Sequence, residues 1–142
     1  MMNAKEKAEK LLSGMSTIFL ATNGEEGYPD VRALSALKSE GLKTVWMLTG
    51  EVEGEHKVAE LRRNPKCMIY STAMEDDQDY IELRLFGTVE ILTDEASRSA
   101  VWRDDYLRYF PEGKDSPLIR ILKFTASSGQ IQTIKDLETL DF

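Results

Sequence analysis

Between Asp30 and Leu37 the chain reads "DVRALSAL", and two sets of positions take turns: Val31, Ala33 and Ser35 against Arg32, Leu34 and Ala36. A period of two sends successive side chains to opposite faces and predicts a β-strand. Five further stretches read the same way: "STIFLAT" from Ser16, "LKTVWML" from Leu42, "KCMIYSTAM" from Lys66, "YIELRLFGTVEIL" from Tyr80 and "LIRILKFTASSGQIQTI" from Leu118. Turn chemistry separates them. "NGEEGYP" combines Asn-Gly, a second glycine and proline, "KSEG" and "PEGKDSP" do similar work, and "EDDQ" forms an acidic turn. Gly87 interrupts the fifth strand and marks a bulge or bend. Three segments switch to helical spacing. Asn3 caps a first helix running to about Ser13, with Gly14 as its stop. "GEHKVAELRRN" spaces Val58 and Leu61 three apart and ends before Pro65. "TDEASRSAVWRDDYLRYF" opens on a Thr-Asp cap. The first three strands form a meander. Six antiparallel strands in one mainly β domain spanning residues 1–142 are best satisfied by a closed or nearly closed barrel, which removes open edges.

Composition narrows the possible functions. A length of 142 residues, 42% of them hydrophobic and 30% charged, suits a globular chain with a real core. No apolar run approaches the ~20 residues that span a bilayer. The opening "MMNAKEKAEKLLSGM" is too acidic for a signal peptide. The formal net charge of −7 opposes binding to nucleic acid or to an anionic membrane, yet a few local cations can still hold a small phosphorylated ligand. The single cysteine, Cys67, rules out an internal disulfide. It fits a reducing cytoplasm and lies in an apolar run as an inert core residue.

Conventional catalytic patterns are missing from the sequence. One histidine cannot build a multi-histidine metal site, and there is no CxxC, HExxH or GxSxG. The carboxylate groups Glu75-Asp76-Asp77 and Asp104-Asp105 read as solvated turn or helix face. A protein of this kind supplies binding and leaves the hard chemistry to a cofactor. The stretch "LTGEVEGEHKVAELRRNP" then stands out, because His56 and Lys57 open a short helix directly after a strand, where an anion is favoured. Glu51, Glu53 and Glu55 precede them and repel phosphate. Arg32, in the middle of a strand, either reaches solvent or meets an anion.

Four segments in order resemble the pyridoxamine 5′-phosphate oxidase-like, FMN-binding split-barrel superfamily, and within it the short general-stress-protein branch. They are "FLATNGEEGYPDVRAL", "VWMLTG" with "HKVAELRRNPKCMIY", "LFGTVEI" and "YFPEGKDSPLIRILKF". The resemblance implies a six-stranded antiparallel split β-barrel that dimerises with FMN at each subunit interface. It implies a flavin-dependent oxidoreductase of unknown substrate, a flavin-binding stress protein without turnover, or a relative that has moved to a deazaflavin or haem, or lost its cofactor. Arg32, Ala33, Leu34 and Ser35 match the strand lining the flavin and its phosphate. Leu48 and Thr49 match the positions that approach the ring, and His56 and Lys57 the two basic phosphate positions. Glu82 falls where relatives often carry glutamine near the flavin. Trp102 and Phe110 fall either near a partner's site or in ordinary packing.

The sequence departs from that pattern in ways that bear on FMN. His56 replaces an arginine, the loop from Thr49 to Lys57 is longer and acidic, and Glu82 adds a negative charge. A late aromatic of the last strand is replaced by "SSGQIQ". The ending "KDLETLDF" lacks the block with which true oxidases hold their vitamin substrate, so vitamin B6 oxidation is not expected.

Overall fold

The computed structural model describes residues 3–13, 16–73 and 80–142. The acidic "EDDQ" turn and the Gly14 helix stop lie outside the described residues. The strands are β1 (Ser16–Asn23), β2 (Pro29–Glu40), β3 (Thr44–Gly50), β4 (Lys66–Ala73), β5 (Ile81–Leu92), β6 (Ile119–Gln132) and β7 (Leu137–Asp141). The helices are α1 (Ala4–Leu11), α2 (Lys57–Arg63) and α3 (Glu95–Val101). All strand pairs are antiparallel, in the order β3-β2-β1-β4-β5-β6, and β3 pairs back onto β6. Six strands therefore close into the expected split barrel.

The two-residue periodicity has a direct outcome in the core. Ile18, Leu20, Val45, Met47, Ile69, Leu83, Leu85, Leu122 and Phe124 point into the barrel and are fully buried. Each such side chain contributes roughly 1.5–3 kcal/mol by leaving water. Helix α1 and its C-cap residue add Ala8 and Leu12 to the same core, and Asn3 caps the helix start by accepting from the Glu6 N–H at 2.8 Å. Helix α2 packs against β1 and buries Val58 and Leu61, the two positions its spacing marked. A second cluster, built on Leu37, Val101, Tyr106, Phe110, Ile119 and Ile121, covers the outside of β2, β3 and β6.

The structure differs from the sequence reading in three places. A seventh strand exists where "LETLD" showed no apolar alternation. β7 pairs with Ser128–Gln132, on the stretch of β6 beyond the Thr125 partner of β3, and so covers a remaining edge. The segment after Asp94 is not one helix. α3 ends at Val101, and a 3-10 segment follows over Asp104–Arg108. On a single straight helix Val101 and Tyr106 would sit ~140° apart, so a break is needed to bring both into one cluster. Finally, the extra residue near Gly87 lies on β6. Phe86 pairs with Ser128 and Gly87 with Ala126, which leaves Ser127 bulged. Gly87 is required for close approach, because a Cβ there would meet the Thr125 carbonyl oxygen at 2.0 Å.

Candidate functional site

A cavity of about 320 Å³ lies outside the barrel, where β1, β2 and β3 meet the 3-10 segment. That size is at the lower end of small-molecule sites, which run from about 300 to 1,000 Å³. Its strand side is formed by Thr17, Ala33, Leu34, Ser35, Leu37, Leu48, Thr49 and Gly50, and its opposite wall by Tyr106, Tyr109 and Phe110. The β2 bulge helps to shape it. Ala36 pairs with Met47 and Lys38 with Trp46, so Leu37 is the extra residue. Ala36 then faces the barrel core, while Leu37 joins the outer cluster beside the aromatics. At Gly50 a Cβ would come within 3.2 Å of the Phe110 ring, so a glycine lets that ring close over the strand. The result is a slot with three aromatic side chains on one wall. It suits a flat heteroaromatic ligand, because stacked and edge-on ring contacts add to simple area burial.

Of the nine residues that the resemblance matches to cofactor positions, Ala33, Leu34, Ser35, Leu48 and Thr49 come together in this cavity. The other four lie elsewhere. Arg32 lies outside the cavity lining and is engaged by two carboxylates. Its Nη2 pairs with Asp30 at 2.7 Å and Glu60 at 3.2 Å, and its Nη1 donates to Thr22 Oγ1 at 2.7 Å. The Thr22 hydroxyl in turn donates to Glu60 at 2.8 Å. This part-buried network fastens α2 to β1 and β2. The Arg32 side chain is 19% exposed, and the anions it meets here are the protein's own carboxylates.

Lys57 lies directly behind the cavity wall. Its side chain is 6% exposed, and Nζ donates to Thr49 Oγ1 and pairs with Glu55 at 3.2 Å. Burial pushes the ammonium below its usual pKa, with the Glu55 carboxylate opposing that shift. Glu55 also accepts from the backbone N–H groups of Lys57 and Val58, the latter at 3.4 Å, and so caps α2 in place of His56. His56 borders a separate cleft with Glu25, Glu26, Asp30, Glu60 and Arg63. Glu51 faces neither feature. It accepts from both terminal guanidinium nitrogens of Arg62, at 2.6 and 3.0 Å, and from Arg120 Nε at 2.8 Å. The Arg62 hydrogen bond, reinforced by Arg120, holds its carboxyl below the usual range.

Glu82 is on β5, opposite Thr72 and Gln132. The strands run β2-β1-β4-β5, so Glu82 is three strand spacings, roughly 14 Å, from β2. The phenol of Tyr70 donates to it, Arg84 pairs with it at 3.3 Å, and the Tyr70 and Tyr80 hydrogen bonds hold its carboxyl below the usual range.

Sequence reasoning overlooked Thr17, Leu37, Gly50, Tyr106 and Tyr109. Only the apolar residues of "WRDDYLRYF" offered a signal, and helical spacing disguised it. Phe110 is part of its own chain's cavity. Trp102 packs edge-on against Tyr106, with ring centroids 5.6 Å apart.

Comparison with known proteins agrees with this architecture. The family model described as pyridoxamine 5′-phosphate oxidase matches residues 4–133. A search of curated proteins returned no match. Among solved structures, a Clostridium acetobutylicum protein related to general stress protein 26 of B. subtilis (pyridoxinephosphate oxidase family) is 33% identical, with a TM-score of 0.82 over 99% of this chain and 97% of that one. General stress protein 26 from Bacillus anthracis has the same fold at 18% identity, with a TM-score of 0.76 over 99% of this chain and 100% of that one. A heme binding protein from Mycobacterium smegmatis also shares the fold, at 15% identity and a TM-score of 0.75, over 99% of this chain and 59% of that one. Since the match extends over nearly the whole barrel and the helices that flank it, the chain belongs to the pyridoxamine 5′-phosphate oxidase family.

Proposed function

We propose that this protein is a cytoplasmic, homodimeric FMN-binding protein that acts as a flavin-dependent oxidoreductase on a small molecule. The observation that carries the reading is the aromatic-walled slot on β2 and β3, in which Ala33, Leu34, Ser35, Leu48 and Thr49 meet Tyr106, Tyr109 and Phe110. The slot fits the flat part of the cofactor. The phosphate part fits less well, since Arg32 and Lys57 already pair with carboxylates. When bound, the flavin would supply the capacity to accept and donate reducing equivalents. The chain's own part is to grip the ring, exclude water with the aromatic wall and hold the ring's edge against β3.

A sheet face next to the slot supports the dimer. Phe19, Val31 and Phe86 are exposed large apolar residues there, and Phe19 is opposite both Ala33 and Tyr70, while Phe86 is opposite Met68. A second copy seated on this face would close the slot and bring Glu82 of one copy toward the ring held by the other. An isologous contact of this kind gives a twofold dimer.

One feature favours a second reading, a flavin-holding stress protein without turnover. Among the described residues lining the slot the only titratable groups are the phenols of Tyr106 and Tyr109, and no carboxylate or imidazole is placed to move a proton. Haem is the less suitable occupant, since His56 borders a different cleft.

The test is the absorption spectrum of freshly purified protein, repeated after FMN addition and gel filtration with light scattering. A flavin spectrum that travels with a dimer mass is expected. A Soret band, or no retained chromophore, would overturn the FMN reading, and a flavin-loaded monomer would overturn the interface. Bleaching by NAD(P)H with reoxidation by an acceptor separates the enzyme from the carrier.

A further inference from the structure

We propose that Glu55 is a built-in competitor for the cofactor's phosphate. Its carboxylate fills the anion position formed by Lys57 Nζ and Thr49 Oγ1, so the site draws little of its flavin affinity from a terminal phosphate. This inference rests on the flavin reading of the slot and names the residue that sets its preference between FMN and riboflavin.

The burial of Lys57 is the starting point. With its side chain 6% exposed, the ammonium has little water around it and needs an anion close by. Thr49 lines the slot and its hydroxyl accepts from Lys57 Nζ, so this cation stands directly behind the strand side of the wall. The anion it has found is Glu55, 3.2 Å away. Glu55 is not a loosely swinging side chain, because the Lys57 and Val58 N–H groups also donate to it. An incoming phosphate must break all of these contacts before it gains its own.

The charges beside Lys57 lend the phosphate no help. Arg32 spends its fork on Asp30 and Glu60. The group therefore holds two cations, Arg32 and Lys57, against three carboxylates, Asp30, Glu55 and Glu60. A phosphate dianion added to that group meets a net negative charge, and the repulsion is strong where water is scarce. The other glutamates of the loop are not rivals for the position. Glu51 is held by Arg62 and Arg120, and Glu53 is exposed. Of the three acidic residues before the helix, only Glu55 stands on the ammonium.

The experiment compares riboflavin and FMN titrations of the wild type, Glu55→Gln and the control Glu53→Gln. Glutamine keeps an acceptor for the two backbone N–H groups. In the wild type the two dissociation constants should lie within about tenfold of each other. In Glu55→Gln FMN should tighten by roughly ten- to hundredfold, the scale of one charge-assisted contact, with riboflavin nearly unchanged. Glu53→Gln should behave as the wild type. A wild type that prefers FMN by much more than tenfold would overturn the proposal by itself, and so would an unchanged ratio in Glu55→Gln. If no variant binds either flavin, the flavin reading fails and inorganic phosphate decides the rest. Thermal stabilisation of Glu55→Gln but not of wild type by phosphate supports the competitor role, and stabilisation of neither overturns it.

Discussion

Arg32 offers a clean separation between a structural cation and a phosphate contact. Consider Arg32→Met, which keeps the length of the stem and removes the fork. The substitution leaves Glu60, with 9% of its side chain exposed, with the Thr22 hydroxyl as its remaining side-chain partner among the described residues. Breaking a buried pair by deleting one partner costs about 3–5 kcal/mol. Here the guanidinium is 19% exposed and Asp30 44% exposed, so the Asp30 half of the interaction is largely screened. Discounting for that exposure gives an expected loss of about 2–3 kcal/mol, a large share of the ~5–15 kcal/mol that a domain possesses. The double variant Arg32→Met with Glu60→Gln removes the stranded charge and should recover at least half of the loss. Urea denaturation of the four proteins completes the cycle. Flavin titration of the same four supplies an independent readout. A structural Arg32 predicts that FMN and riboflavin affinities fall together, or not at all, and that the double variant regains both. A selective loss of FMN that Glu60→Gln fails to restore would place Arg32 on the phosphate. A stability loss below about 1 kcal/mol, a typical value for an exposed pair, would refute the claim that the network holds α2 in place.

Four other outcomes follow from particular contacts. Burial pushes the Cys67 thiol up to about 12, so a thiol reagent at pH 8 should label it only in denatured protein; rapid labelling of the native chain would contradict its place in the core. Lys57 has a folded pKa below its unfolded value of 10.5, so the unfolded chain binds the proton more tightly and stability should rise as pH climbs from the folded value toward 10.5. In Lys57→Met that contribution disappears, and the difference between the two pH–stability curves should show it; parallel curves would mean that the ammonium is well solvated. Gly87→Ala drives a Cβ into the β6 backbone and should lose more than about 2 kcal/mol in urea, whereas Gly113→Ala, with a φ of +83° and open space around it, should lose only about 1 kcal/mol. In the proposed dimer Glu82→Gln removes a negative charge near the ring, which should raise the reduction potential of bound flavin; an unchanged potential with flavin retained would put Glu82 elsewhere.

The barrel was legible because its signal is redundant. Ile18 and Leu20, Val45 and Met47, and Leu83 and Leu85 each repeat at the strand period, and one residue of slip would turn a whole set outward. β7 could not be seen for the opposite reason. It is edge-facing and mostly exposed, so Leu137 to Asp141 carry no buried face to report the period. The helix drawn through Thr93 to Phe110 failed because its Thr-Asp cap is genuine and Tyr106 and Phe110 are four apart, as on one helical face, while Val101 falls on another face and marks the break. Tertiary packing on Leu37 and Ile121 made the decision, and local periodicity contains no record of it.

The site splits along the same line. Ala33, Leu34, Ser35, Leu48 and Thr49 could be chosen beforehand because their strands resemble the family's flavin-lining segments, and the fold brings those strands together at the slot. Side-chain partners are another matter. Residue types near Lys57 present three glutamates within six positions, and nothing in that string says which of them caps the helix. Geometry separates them: Glu55 is close enough to bond the Lys57 and Val58 N–H groups, whereas Glu51 lies opposite Leu118 at the start of β6 and captures Arg62 and Arg120. A sequence reader counts those charges as a diffuse field opposing phosphate. The fold converts them into one counter-ion seated on the ammonium, one tie between α2 and β6, and one exposed residue. A change in phosphate affinity on altering this loop should therefore come from Glu55 alone, and Glu51→Gln should instead register as weaker attachment of α2.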